Sequence, residues 1–85
     1  MIIADAFKIE RRIPYTVLAV EITEDRLDVG DIISIPFKDG SSREFRILSF
    51  ELFGHLEYVE KGDKVGIRID YVDPTTICCE YTKSD

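Results

Sequence analysis

Apolar and polar side chains alternate along most of this chain in short runs, cut by glycine, proline and aspartate turns, and no stretch shows a helical period. A period of two is the mark of strands with one face buried. Residues 3–10 place Ile3, Phe7 and Ile9 on one side and Lys8 and Glu10 on the other, before Arg11, Arg12 and Pro14 interrupt. In 15–23, Thr16, Leu18, Val20 and Ile22 face one way, with Glu21 and Thr23 outward. The polar segment 24–31 ends in a glycine turn, with Leu27 and Val29 expected to tuck under the body of the domain. Residues 32–37 form the next strand, and Asp39-Gly40 is a hairpin cue that leads into 43–53.

That fourth run changes phase. Phe45 and Ile47 are odd, whereas Leu48, Phe50 and Leu52 are even. One strand cannot bury both sets on one face, so a β-bulge is expected near Ile47–Ser49. Residues 54–63 read as a loop anchored by Leu56 and Val59 and closed by Lys61-Gly62-Asp63. Val65, Ile67, Ile69 and Tyr71 then alternate against Gly66, Arg68 and Asp70. Asp73-Pro74 breaks this strand, and 75–82 supplies a last one with Ile77, Cys79 and Tyr81 inward. No internal repeat is legible. Six strands with short polar links predict an all-β fold, a small closed antiparallel barrel in which closure removes exposed edges.

Eighty-five residues make a single domain, 1–85, and a content of 45% hydrophobic residues is ordinary for a globular chain. A start at Met1 and an untagged end suggest a complete small protein. No apolar run approaches the roughly 20 residues of a membrane span, and no secretory leader is present, so a cytoplasmic protein without membrane contact is expected. The net charge of −6 works against polyanions, since nucleic-acid affinity comes mainly from Lys and Arg; DNA is not an expected partner.

Adjacent Cys78 and Cys79 point to opposite faces of a strand and, with His55 as the single histidine, make no metal site. Neither metal nor cofactor is expected. Nucleophilic catalysis needs a base beside the nucleophile, and His55 sits between Gly54 and Leu56 in a loop. The chain is therefore read as non-enzymatic. Phe7, Phe37, Phe45 and Phe50 are assigned to the core, where large side chains contribute most in so small a domain. Phe53 follows inward Leu52 and is expected outside, as part of a protein-binding patch with Glu51 and His55.

Three segments carry a family resemblance. Leu27-Asp28-Val29-Gly30-Asp31-Ile32-Ile33-Ser34-Ile35 resembles the L-x-V-G-D turn and strand of the second, β-barrel domain of translational GTPases of the elongation factor Tu kind. Ser49-Phe50-Glu51-Leu52-Phe53 resembles that family's Gly-Val-Glu-Met-Phe segment. Glu60-Lys61-Gly62-Asp63-Lys64-Val65-Gly66-Ile67 resembles its A-G-D-x-V-G loop and strand. The order is right, and the likeness spans about residues 7 to 80. It implies a six-stranded, Greek-key-like barrel that contacts RNA or packs on a neighbouring domain. It also implies a ribose contact for Glu51. Gly54-His55 stands where the family has a basic pair, and Asp70 where it has arginine. No Gly-x-x-x-x-Gly-Lys-Ser/Thr loop occurs, which excludes a P-loop nucleotide site.

The expected role is a stand-alone binding module for a protein partner or for a second copy of itself. The alternative is an RNA- or ribosome-binding accessory that uses Lys8, Arg11, Arg12 and Arg46, with Arg43 and Arg68 nearby and Tyr15 and Tyr58 as stacking platforms.

Overall fold

The computed structural model describes residues 1–51 and 55–79, and these are all-β apart from one 3-10 turn. Nine short strands replace the six expected. They are β1 (Ile2–Ile9), β2 (Tyr15–Glu21), β3 (Arg26–Asp28), β4 (Ile32–Pro36), β5 (Ser42–Arg46), β6 (Ser49–Glu51), β7 (His55–Leu56), β8 (Tyr58–Glu60) and β9 (Lys64–Asp70). Every pairing is antiparallel. The strands form a five-stranded sheet in the order β1-β2-β9-β6-β7 and two two-stranded sheets, β3-β8 and β4-β5. Among the described residues no single ladder runs unbroken around the core.

The inward residues are largely those that the alternation marks. Leu18, Ile22, Ile35, Ile47, Ile67, Ile69 and Ile77 are fully buried, and Val20, Ile33, Phe37, Phe45, Phe50, Val59 and Val65 belong to the same cluster, with Ile3, Leu27 and Val72. Thr16 shares their parity and is also fully buried. Its hydroxyl donates to the Val72 carbonyl at 2.7 Å and accepts the Val72 N–H at 3.0 Å, so a buried polar group is fully satisfied.

The phase change in 43–53 lies where the bulge was expected, but it takes another form. The ladder with β4 ends at Arg46, and the chain turns a corner into β6 of the five-stranded sheet. At the corner the Ile47 N–H donates to the Asp31 carbonyl at 2.9 Å, and the Leu48 N–H donates to the Arg68 carbonyl at 2.9 Å. Ile47 is buried, Leu48 is exposed and Phe50 is buried again. Two half-strands in two sheets thus resolve the odd and even sets.

A repeat hidden in the sequence organises the centre of the fold. Asp28-Val29-Gly30-Asp31 and Glu60-Lys61-Gly62-Asp63 are the same turn. The glycines have φ of 95° and 94°, and the i→i+3 bonds (Asp31 N–H to Asp28, Asp63 N–H to Glu60) are 3.1 and 3.0 Å. A positive φ at the third residue alone defines type II. In both turns the aspartate carboxylate reaches back to the backbone N–H three residues earlier, at 2.9 Å on Asp28 and 2.8 Å on Glu60. The two preceding strands pair around Leu27↔Val59, so this pair lies on a local two-fold axis.

The symmetry extends further. Ile22 exchanges two backbone bonds with Gly62 and Asp63, and Ile47 exchanges the same two with Gly30 and Asp31. β2 meets β9 through Val20↔Val65 and Leu18↔Ile67, and β5 meets β4 through Phe45↔Ile33 and Arg43↔Ile35. Each half therefore lends its first strand to the last strand of the other. Ile22 stands five residues before Leu27, whereas Ile47 stands twelve before Val59. The extra length in the second half is the β6–β7 hairpin.

Several further expectations are corrected. Phe7 is 46% exposed rather than core, because the β1–β2 register shifts between Ile3 and Asp5 and turns Ala6 toward the core instead. Val29 is exposed because it occupies the second position of a type II turn, which points away from the body. Tyr71 is exposed because β9 ends at Asp70. The last expected strand is replaced by a 3-10 turn, Pro74–Thr76, and one bridge, Phe37↔Ile77. Asp73 caps that turn by accepting from the Thr75 N–H at 3.0 Å, and proline at the first helical position leaves no donor unused. Residues 54–63, read as a loop, contain β7 and β8; Val59 is buried, but Leu56 is exposed. Tyr81 lies outside the described residues.

Candidate functional site

The five-stranded sheet has an inner face on the core and an outer face that no other described element covers. Registry places Phe7, Val17, Arg68 and Ser49 in one row across β1, β2, β9 and β6. Asp5, Ala19, Gly66, Glu51 and His55 form the next row, and Ile9, Tyr15 and Asp70 lie on the other side of the first. An outer face of an antiparallel sheet is ordinarily polar. Here Phe7, Ile9, Tyr15, Val17 and Ala19 make a contiguous apolar strip.

Small residues shape this strip. Ala4, Ala19 and Gly66 line a shallow depression of about 330 Å3, bordered by Ile2, Glu21 and Lys64. A Cβ on Gly66 would stand 3.0 Å from Val17 Cγ1 and 3.1 Å from the Glu51 carbonyl oxygen. Glycine there lets β2 and β6 crowd over β9.

Arg68 is the chief cation of the strip. Its guanidinium lies 3.8 Å over the Tyr15 ring, and its Nε is buried with no hydrogen-bond partner among the described residues. Among the described residues Arg68 forms no ion pair with Asp70, Arg43 none with Glu44 and Lys61 none with Asp63. The ion pairs among the described residues are the N-terminal ammonium with Glu24, Lys8 with Glu10, and Arg26 with Asp28.

Two of the sequence-predicted partner residues, Glu51 and His55, lie on the inserted hairpin. Glu51 ends β6, and its carboxylate accepts from the Ser49 hydroxyl at 2.9 Å; its Cα partner across the hairpin is His55. Phe53 lies outside the described residues. The predicted RNA-binding cations are spread over two sheets. Lys8 is the penultimate residue of β1, with Nζ 3.2 Å from Glu10 and 5.4 Å from the centre of the Tyr71 ring. The Glu10 hydrogen bond and charge raise its pKa above the usual lysine value. Arg11 and Arg12 are exposed in the β1–β2 connection. Arg46 belongs to β5 in the other sheet and donates to the Gly30 carbonyl at 2.8 Å. Arg43 sits over Phe37 and Phe45 at the mouth of the core. Tyr58 is exposed but carries Arg26 3.9 Å over its ring.

Cys78 is exposed, and Cys79 is half-buried against the core, where burial pushes its thiol pKa up. No group of three or more His, Cys, Asp or Glu side chains is placed to hold a metal ion among the described residues. No helix among them is long and apolar enough to cross a membrane.

The alternation of 3–10 masks the outer strip, because the register shift between Ile3 and Asp5 exchanges the two faces of β1. Two signals were present. Asp5 shares odd parity with Ile3, Phe7 and Ile9, and a carboxylate cannot stay in a buried row. Val17 and Ala19, interleaved with Leu18 and Val20, make β2 apolar on both faces, which is how a strand covered on both sides reads. No known family's sequence profile matches the chain, and no curated protein matches it.

Proposed function

We propose that this chain is a non-catalytic binding module that holds a protein partner, or a second copy of itself, on the outer face of its five-stranded sheet. The observation that carries the reading is the contiguous apolar strip of exposed Phe7 with half-buried Ile9, Tyr15, Val17 and Ala19, since a contiguous apolar patch on an outer sheet face marks an interaction surface. Glu51, which pairs with Gly66 at the edge of this strip, supports the reading as a rim residue.

The architecture is read as a small, distorted barrel like domain 2 of translational GTPases. Three features support this: one shared core, backbone bonds that link the sheets at Ile22, Ile47 and Leu48, and the bond from the Cys78 N–H to the Pro36 carbonyl at 3.0 Å. That family's barrel packs on neighbouring domains, and the outer strip is the surface offered for such packing. The net charge of −6 favours a basic protein over RNA. The RNA reading rests on Arg68 over Tyr15 within the same strip, a cation–aromatic pair of the kind that stacks bases.

Phe7→Asp tests the proposal. Phe7 is nearly half exposed, so the variant is expected to fold as the parent does, by circular dichroism and melting. Cross-linking and size exclusion from cell extract should show a complex or oligomer for the parent and its loss in the variant. A complex that survives Phe7→Asp, or a parent that is monomeric and captures nothing, sinks the reading. A captured species that is RNA, released steeply with salt, replaces it with the alternative.

A further inference from the structure

A second surface lies around the β3–β8 pair, lined by residues of β3, the first type II turn, β7 and β8. We propose that the recess between the first type II turn and β7–β8 binds a Lys/Arg-rich protein segment that also carries large apolar side chains.

Three apolar side chains open into this concavity: Val29 is 44% exposed, Leu56 38% and Tyr58 43%. Neither local geometry nor core packing needs them there. Position 61 is equivalent to Val29 in the second turn and carries lysine, and Arg26 is the equivalent of Tyr58. Leu56 belongs to the hairpin that the first half lacks. An apolar residue at each of these places is a property of the surface and not of the fold.

The charge around them selects the occupant. Asp28, Glu57, Glu60 and Asp63 line the recess, opposed within it by Arg26 alone. That guanidinium is already engaged, bonded to the Asp28 carboxylate at 2.9–3.2 Å and stacked on Tyr58. Glu57 and Glu60 have no ion partner among the described residues. A second copy of this chain carries the same −6 and would bring acid against acid. A cationic segment neutralises Glu57 and Glu60, and its apolar side chains cover Val29, Leu56 and the free face of Tyr58. A cation there also has an aromatic face to stack on.

This inference goes beyond the outer-strip reading and uses different residues. The test is titration of the 15N-labelled protein with an alternating Lys–Leu octapeptide, followed by amide shifts. A Glu–Leu octapeptide and octalysine serve as controls. The Lys–Leu peptide is expected to move amides of Val29 and 56–60, at an affinity at least tenfold above either control. Glu57→Lys with Glu60→Lys should weaken it tenfold or more, and Val29→Ser about fivefold, with melting curves unchanged. Phe7→Asp should leave peptide binding intact, which separates failure of one surface from failure of the other. Shifts centred on Phe7 and Val17, equal binding of octalysine, or full affinity in either recess variant would overturn the proposal. So would concentration-dependent shifts at the recess without peptide, which would mean that a second copy occupies it.

Discussion

Thr16 ties the start of β2 to Val72 just past β9, with its hydroxyl serving both the N–H and the carbonyl of that residue. Valine fits the same space but leaves both backbone groups buried and unpaired, at about 1–3 kcal/mol for a buried group left unsatisfied. Thr16→Val is therefore expected to lower the urea midpoint clearly, whereas Thr16→Ser, which keeps the hydroxyl, should lower it less. A neutral Thr16→Val would show that water replaces the bond. Thr16 could be placed inward from sequence parity alone. Its partner could not, because Val72 lies 56 residues away and only the folded sheet brings the two together.

Among the elements, the paired turns show why glycine and aspartate recur together. Glycine supplies the positive φ that a type II turn needs, and the aspartate carboxylate takes up a backbone N–H that would otherwise face outward from the short β3–β8 pair. Asp31→Ala and Asp63→Ala each remove one such bond, worth about 1 kcal/mol. Asp28 N–H is partly buried and Glu60 N–H is exposed, so Asp31→Ala should cost more, as read from urea midpoints. The reverse order would break the link between burial and cost. Both motifs were visible in the sequence as separate turns. Their equivalence was not, because Gly, Asp and Ile are the identities that survive between Leu27–Ile35 and Val59–Ile67. Superposable backbone needs little more than a glycine, an acceptor and the right alternation.

At the scale of the whole molecule, acidity governs how stability responds to pH. Asp39 is held below the usual carboxylate pKa by the Ser41 hydroxyl and backbone N–H, and Asp73 by the Thr75 hydroxyl and backbone N–H. A carboxylate depressed in the folded state adds stability that is complete above its unfolded pKa of about 4 and is lost as pH falls through the lower folded value. Melting temperature is thus expected to be flat from about pH 7 to 5 and to fall below about pH 4, with a shallower fall in Asp73→Asn. An unchanged profile in that variant would remove Asp73 from the account. Chain pattern by itself determined that this protein is a β domain with Leu18, Val20, Ile67 and Ile69 inside, because alternation and turn chemistry act between neighbours in sequence. It also located a break near Ile47–Ser49, since two incompatible parities cannot share one strand. Tertiary structure alone decided how many sheets share the core and that Phe7 faces water. It alone brought the two halves into exchange and opened an acidic recess beside Tyr58. Those outcomes depend on register between distant strands, and a shift of one residue, as at Ala4, exchanges inside for outside without altering the local pattern.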